Sequence, residues 1–131
     1  MSGEDRVGSV LFVDDEQANR DLYSRALTTA GFDVDVAEDG DKAIAKLEKR
    51  PYDAIVIDVI MPNREGIESI IQIRKRWANL FVIAISGGGR IGADDVLSLA
   101  AAVGADQVLK KPFRPVQLVE MLSAGRSRGA A

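Results

Sequence analysis

The residues Ala54-Ile55-Val56-Ile57-Asp58-Val59-Ile60-Met61-Pro62 decide the fold of this chain. An unbroken apolar run, rich in β-branched side chains, leads into an acidic residue and then into a Met-Pro turn. Such a run is typical of a strand that is buried on both faces of a parallel sheet. We therefore expect Asp58 to lie at the carboxyl end of a strand, where open parallel sheets gather ligands and chemistry. The alternative is that Asp58 only begins a turn, as aspartate commonly does.

Four further segments have the pattern of strands. Residues 10–13 and 81–85 are wholly apolar, which indicates two more strands buried on both faces. Residues 33–37 alternate between polar and apolar side chains, as expected of a strand with one face in water. A short strand over residues 107–109 completes the set, and we assign it and residues 33–37 to the two edges of a sheet.

A helix is predicted after each strand. Gly31 suits the left-handed residue that follows the first helix, and Asp94 can cap the fourth. The helices are predicted over residues 17–30, 41–49, 66–76 and 94–103, and from Pro115 onward. The side chains expected to face inward from the first and last helices are Ala18, Leu22, Leu27, Ala30, Val116, Leu118, Val119 and Leu122.

Five alternating β/α units without a repeat or a linker predict a fold of the α/β class. The expected architecture is a three-layer, doubly wound sandwich around a five-stranded parallel sheet. Three buried strands and two edge strands fit the strand order 2-1-3-4-5, the flavodoxin-like arrangement, with right-handed crossovers. We expect one domain over residues 9–124, flanked by flexible segments over residues 1–8 and 125–131.

The composition excludes several kinds of chemistry. With no cysteine and no histidine among its 131 residues, the chain has no disulfide, no thiolate metal site and no imidazole base. The formal net charge of -3, without a concentrated basic face, argues against direct binding to nucleic acid. The sequence has neither a long apolar run nor an N-terminal signal, so we expect a cytoplasmic protein without membrane insertion.

The predicted topology brings five polar residues to one edge of the sheet: Asp14, Asp15, Asp58, Ser86 and Lys111. Three neighbouring carboxylates repel one another unless a cation lies among them. Mg2+ suits such a site because it typically combines one or two carboxylates with phosphate oxygens. Ser86 and Lys111 suit the oxygens of a transferring phosphoryl group. Asp58 is left as the nucleophile, which would form an acyl phosphate.

Four motifs of this chain resemble, in order and in spacing, those of the receiver domain of two-component response regulators. The motifs are Val13-Asp14-Asp15-Glu16, Asp58-Val59-Ile60-Met61-Pro62 through Gly66, Ile85-Ser86-Gly87 and Lys111-Pro112-Phe113. Each motif alone is weak, but together they require five polar positions to coincide at four strand ends. The resemblance covers nearly the whole chain, from about residue 9 to residue 124.

The resemblance implies a role for each acidic residue of the site. Asp58 would be the phosphoacceptor, and Asp15 would bind Mg2+ directly. Asp14 would act on the ion mainly through water, and the backbone carbonyl of Ile60 would be the third protein ligand. Ile60 also lies two residues after the acceptor, where some relatives carry a polar side chain that influences hydrolysis of the acyl phosphate.

The resemblance also implies that Ser86 and Lys111 bind the phosphoryl group, and that the Lys111-Pro112 peptide bond is cis. One position departs from the family pattern. Many members carry an aromatic residue three positions before the site lysine, and this chain has Val108 there. An aromatic switch at that position is therefore not expected in this chain.

These expectations combine in one functional hypothesis. A stand-alone response regulator would accept a phosphoryl group on Asp58 from a histidine kinase or a phosphotransfer protein, with Mg2+, and then switch protein binding or relay the phosphate. Such a chain is a signalling phosphoacceptor rather than an enzyme. The alternative is a phosphatase or phosphotransferase of the haloacid-dehalogenase type, although Ile60 stands where such enzymes usually carry a second aspartate. A nucleotide- or flavin-binding module of similar topology is a third possibility.

Overall fold

Strands and helices alternate along the whole described chain. A computed structural model describes residues 8–59, 65–87 and 93–130. The strands are β1 (Gly8–Val13), β2 (Phe32–Ala37), β3 (Ala54–Asp58), β4 (Phe81–Ser86) and β5 (Gln107–Lys110). The helices are α1 (Gln17–Thr29), α2 (Gly40–Lys49), α3 (Glu65–Arg76), α4 (Ala93–Val103) and α5 (Pro115–Ala130).

The five strands form one parallel sheet in the order β2-β1-β3-β4-β5. This order confirms the predicted fold class, the flavodoxin-like doubly wound sandwich, with β2 and β5 at the edges. The chain runs outward from β1 to β2 and then returns to β3 on the other side of β1. The carboxyl ends of β1 and β3 therefore lie next to each other at the point where the winding reverses, and a binding crevice is expected there.

Alternate residues of the strands point to opposite faces of the sheet, and each face has its own hydrophobic core. One core joins β-strand residues such as Leu11 and Ile55 to α2, α3 and α4. The other joins residues such as Phe12 and Val56 to α1 and α5. The sheet is thus covered on both sides, which explains why β1, β3 and β4 are such unbroken apolar runs.

The inward face of α1 differs from the predicted stripe. Ala18, Leu22 and Ala30 are exposed, with Leu22 at 55% of its full accessibility, whereas Tyr23 and Leu27 are buried. Tyr23 packs against the rings of Phe12 and Phe113. Of the predicted stripe only Leu27 is buried, and a tyrosine with two aromatic partners is buried beside it in place of the expected small and aliphatic residues. Gly31 does adopt the predicted positive φ, at 103°.

Helix α5 is longer than predicted and begins at Pro115 as expected. Leu118 and Leu122 are buried, but Val116 is 47% exposed and does not belong to the inward face that was predicted for it. The helix continues to Ala130, past the boundary at residue 124. Gly125 permits this continuation, because a Cβ atom there would lie 2.2 Å from the ring of Phe81.

Two smaller boundaries also differ from the predictions. Gly8 belongs to β1 rather than to a flexible leading segment, since it pairs with Phe32 of β2. Asp94 lies inside the first turn of α4 and is not its cap, because the helix already begins at Ala93. Residues 1–7 lie outside the described residues. Across the part of the chain that is described, no helix combines the length and the apolar character needed to cross a membrane.

Candidate functional site

The register of the sheet brings the predicted polar residues to the same height. Val13 pairs with Ile57, so Asp14 and Asp58 follow as neighbours at the ends of β1 and β3. Asp58 pairs in turn with Ile85 of β4. Ser86 pairs with Lys110 of β5, and the amide of Lys111 donates a hydrogen bond of 2.8 Å to the Ser86 carbonyl. Asp14, Asp58, Ser86 and Lys111 therefore form one row across four adjacent strand ends.

Lys111 connects two carboxylates of this row. Its Nζ lies 3.2 Å from Oδ2 of Asp58 and 3.5 Å from Oδ2 of Asp14, and only 19% of its side chain is exposed. Burial acts to lower the pKa of Lys111, but attraction by Asp58 and Asp14 outweighs it, so the pKa is raised above 10.5. The lysine is therefore positively charged at neutral pH. The Lys111-Pro112 peptide bond is cis, as the family resemblance implied.

Asp14 is fully buried and is held by the loop that follows it. Its Oδ1 accepts a 2.9 Å hydrogen bond from the Glu16 amide, and its Oδ2 accepts a 3.2 Å bond from Nδ2 of Asn19. The Arg20 guanidinium donates a 2.7 Å bond to the Asp14 carbonyl. A buried carboxylate needs such partners, because an unpaired buried charge is strongly destabilising.

Asn19 and Arg20 are site residues that the sequence analysis missed. Both belong to the first turn of α1, which starts at Gln17, and Glu16 at its N-cap makes no side-chain capping hydrogen bond. Asn19 instead reaches back to both Asp14 and Glu16, with a bond of 3.3 Å to Oε1 of Glu16. An asparagine three residues after the acidic run, on the first turn of a predicted helix, is the signal that could have revealed this contact.

The acidic residues suit a hard cation. Asp14, Asp15 and Glu16 each present a carboxylate oxygen, and these three oxygens all lie within 4.8 Å of one another. Asp15 and Glu16 are exposed, so water can complete the coordination. This set of oxygen donors fits Mg2+, which keeps several of its waters. Within the described ranges Asp58 is not a member of this close group, although Lys111 connects it to Asp14.

The structure brings Glu16 to the acidic group, whereas the sequence analysis placed only Asp14, Asp15, Asp58 and Ile60 at the metal. Glu16 belongs to the acidic run that follows β1, but no role at the metal is predicted for it from the sequence. Its proximity follows from the tight turn in which its own amide bonds to Asp14. Ile60, whose carbonyl was expected to be a ligand, lies outside the described residues.

Ser86 has unused hydrogen-bonding capacity inside the protein. Its side chain is completely buried, and its Oγ has no hydrogen-bond partner among the described residues. A buried hydroxyl without a partner costs stability, so it requires an explanation such as a ligand. The Ser86 hydroxyl, at the end of β4, can therefore donate a hydrogen bond to a ligand that binds at this row of strand ends.

Comparisons with known proteins agree with this arrangement. Residues 10–123 match the family model of the response regulator receiver domain. The transcriptional regulatory protein TcrA of Mycobacterium tuberculosis is 35% identical over 92% of this chain and 46% of its own length. The CpxR homolog of Haemophilus influenzae is 36% identical over 95% of this chain and 53% of its own length. The chain thus spans about half the length of these curated relatives.

Solved structures show the same fold. The receiver domain of the Francisella response regulator 1452 superimposes with a TM-score of 0.81 at 29% identity, covering 92% of this chain and 98% of that one. A CheY-like receiver domain protein from Methanospirillum hungatei JF-1 has a TM-score of 0.84 at 24% identity, over 93% of this chain and 95% of that one. This chain therefore belongs to the family of response regulator receiver domains, the phosphoacceptor domains of two-component signalling systems.

Proposed function

We propose that this chain accepts a phosphoryl group on the carboxylate of Asp58 from a histidine kinase or a histidine phosphotransfer protein. The observation that carries the proposal is the position of Lys111, whose ammonium lies within 3.5 Å of both Asp58 and Asp14 at the carboxyl edge of the sheet. A fixed positive charge beside a carboxylate nucleophile is suited to receive the oxygens of a phosphoryl group. The phosphorylated form would change binding to partner proteins or pass the phosphoryl group on.

In the transfer step an Oδ atom of Asp58 attacks the phosphorus atom of a phosphohistidine. The bond from phosphorus to the histidine nitrogen breaks, its electron pair stays on the imidazole, and an acyl phosphate forms on Asp58. Lys111 would then pair with an oxygen of the phosphoryl group, and the Ser86 hydroxyl would donate to another. The unpartnered, buried Oγ of Ser86 supports this role.

We propose that Asp14, Asp15 and Asp58 hold Mg2+ together with the carbonyl of Ile60. A cation at this place is supported by the carboxylate oxygens of Asp14, Asp15 and Glu16, which lie within 4.8 Å of one another. Asp58 is connected to this group through Lys111, which contacts both Asp14 and Asp58. Bound Mg2+ would neutralise negative charge on the carboxylates and on the incoming phosphoryl oxygens. Asn19 and Arg20 would keep the Asp14 segment in place for this purpose.

The phosphorylated state would carry about two negative charges in the place of one, and this change can bias a two-state equilibrium. Val108 is aliphatic and half-buried against the core on the α2, α3 and α4 side of the sheet. We therefore propose that the signal passes from Ser86 to the surface of α4, β5 and α5 without rotation of an aromatic ring at position 108.

The decisive experiment is intact mass measurement after incubation with acetyl phosphate, with and without Mg2+. The wild-type protein should gain one phosphoryl group only with Mg2+, and Asp58→Asn should gain none. Asp53→Asn is a matched control, because Asp53 precedes the other end of the same strand, where it binds the Ser9 amide. Incorporation by Asp58→Asn at the wild-type rate would show that the acceptor is another residue.

A further inference from the structure

Three aromatic rings connect helix α1 to the segment that carries the site lysine. The ring of Tyr23 in α1 lies 5.3 Å, between centroids, from the ring of Phe12 in β1. On its other side it stacks on Phe113, also at 5.3 Å. Phe113 is only two residues after Lys111, so this aromatic stack reaches the base of the proposed phosphoryl site.

We propose that Tyr23 is a positioning residue for Lys111: its ring, held between Phe12 and Phe113, fixes the place of the lysine ammonium beside Asp58. The proposal rests on the function proposed above, for which it identifies an additional residue. Tyr23 is 8% exposed, so its ring is fixed by packing and not by solvent-facing contacts.

The lysine side chain needs such a constraint because it is long and flexible. Holding the ammonium in one place costs free energy, because rotation about four side-chain bonds is lost. The 2.8 Å bond from the Lys111 amide to the Ser86 carbonyl fixes only the backbone. The ammonium itself has two competing partners at similar distances, Asp58 at 3.2 Å and Asp14 at 3.5 Å.

Tyr23 acts on the Lys111 segment through Phe113, whose ring stacks on the Tyr23 ring two residues after the lysine. Loss of the Tyr23 ring should loosen this segment, whereas loss of the hydroxyl alone should leave the stack intact.

The test compares Tyr23→Leu, which removes the ring, with Tyr23→Phe, which keeps it. Phe113→Leu removes the other half of the stack, and because Phe113 is only half-buried this variant keeps the test available if Tyr23→Leu does not fold. Tyr52→Leu is the matched control. It makes the same change at the chain's other tyrosine, whose hydroxyl bonds to Asp35 of β2 outside the site.

Two measurements are made on each variant. The first is the rate of phosphorylation by acetyl phosphate with Mg2+ as the acetyl phosphate concentration is varied, which separates kcat from KM. The second is the nitrogen–proton correlation signal of the Lys111 ammonium in the unphosphorylated protein, which is visible only when the group is held in ion pairs away from solvent. Tyr23→Leu and Phe113→Leu each remove the aromatic contact between Tyr23 and Phe113. From the usual strength of such a contact, we expect kcat to fall by about three- to tenfold in both variants.

Tyr23→Phe and Tyr52→Leu should both keep the ammonium signal and a kcat within about twofold of wild type. A Tyr23→Leu variant with wild-type kcat and an unchanged ammonium signal would overturn the proposal. So would a slow variant whose ammonium signal is unchanged, because its defect would then not come from a displaced Lys111 side chain. If the wild-type protein takes up no phosphate, the function proposed for Asp58 is refuted, and the ammonium signal alone tests whether Tyr23 positions Lys111. The two proposals can therefore be refuted separately.

Discussion

Replacement of Asp15 by asparagine should stabilise the protein without Mg2+ and should abolish its stabilisation by Mg2+. The reason is the acidic group at residues 14–16, whose carboxylate oxygens lie within 4.8 Å of one another. Asparagine has nearly the same shape as aspartate but carries no charge. The substitution therefore removes repulsion from the group while it also removes a proposed metal ligand.

The size of the effect follows from the distances. Two unit charges about 5 Å apart in water repel by about 1 kcal/mol, so the exposed Asp15 carboxylate is destabilised by about 1–2 kcal/mol by its two acidic neighbours. Two effects reduce the gain. Lys111, 3.5 Å from Asp14, offsets part of the negative field. The nearby N-terminus of α1 favours a negative charge by about 0.3–1 kcal/mol. We expect a net gain of about 0.5–1 kcal/mol.

Urea denaturation at low ionic strength, with a chelator and then with Mg2+, measures both parts of this prediction. Added salt should shrink the difference between Asp15→Asn and wild type, because salt screens exposed charges. Mg2+ at one hundred times its dissociation constant should stabilise wild type by about 2.7 kcal/mol and so reverse the order.

Asp41→Asn in the first turn of α2 is the control, since it removes an acid that favours its helix and should destabilise slightly. An Asp15→Asn protein that is less stable than wild type in the chelator at low salt would refute the argument from repulsion.

Three further substitutions separate stability from signalling. Ser86→Ala removes a hydroxyl that has no partner among the described residues, so urea denaturation should show equal or greater stability, while the partner response to phosphorylation is lost. Lys111→Met leaves two carboxylates without their cation and should cost about 2 kcal/mol near neutral pH. The pKa of Lys111 is raised above 10.5 in the folded protein, so stabilisation by its ion pairs is complete below that pH and is lost as the pH rises through the folded-state pKa. The difference in stability between Lys111→Met and wild type should therefore disappear in urea titrations at strongly alkaline pH. Arg74→Met, at the amino edge of the sheet, removes bonds to the Gly104 carbonyl and to Asp106, and should cost about 2–4 kcal/mol while the phosphorylation rate is kept.

The architecture was predictable because each buried strand is a separate apolar run that ends at a polar residue. The residues of β3 and β4 are buried at every position, as the sequence pattern indicated. The edge position of β2 was also readable, since Asp33 and Asp35 cannot lie in the centre of a doubly covered sheet without partners. In the structure these two acids face Arg50, at 3.5 Å and 3.2 Å.

The face of α1 was not predictable from periodicity alone. Alanine at positions 18 and 30 satisfies either a buried or an exposed site, so these residues carried little information. Tyr23 is buried because Phe12 and Phe113, which are distant in sequence, approach from the sheet and from the segment before α5. A contact of this kind depends on tertiary packing, which a local pattern does not contain.

The candidate site also has a part that the sequence predicts and a part that it does not. The parallel register sets the height of each strand end, so the positions of Asp14, Asp58 and Ser86 could be predicted from the apolar runs that precede them. The directions of the side chains could not be predicted in this way. The contacts of Asn19 with Asp14 and of Tyr23 with Phe113 depend on how α1 packs against the strand ends, which the strand pattern does not contain. Helix α1 thus supports both the acidic group and the segment after Lys111. A substitution on its inner face should therefore alter the chemistry at Asp58 more than its distance from that residue in sequence suggests.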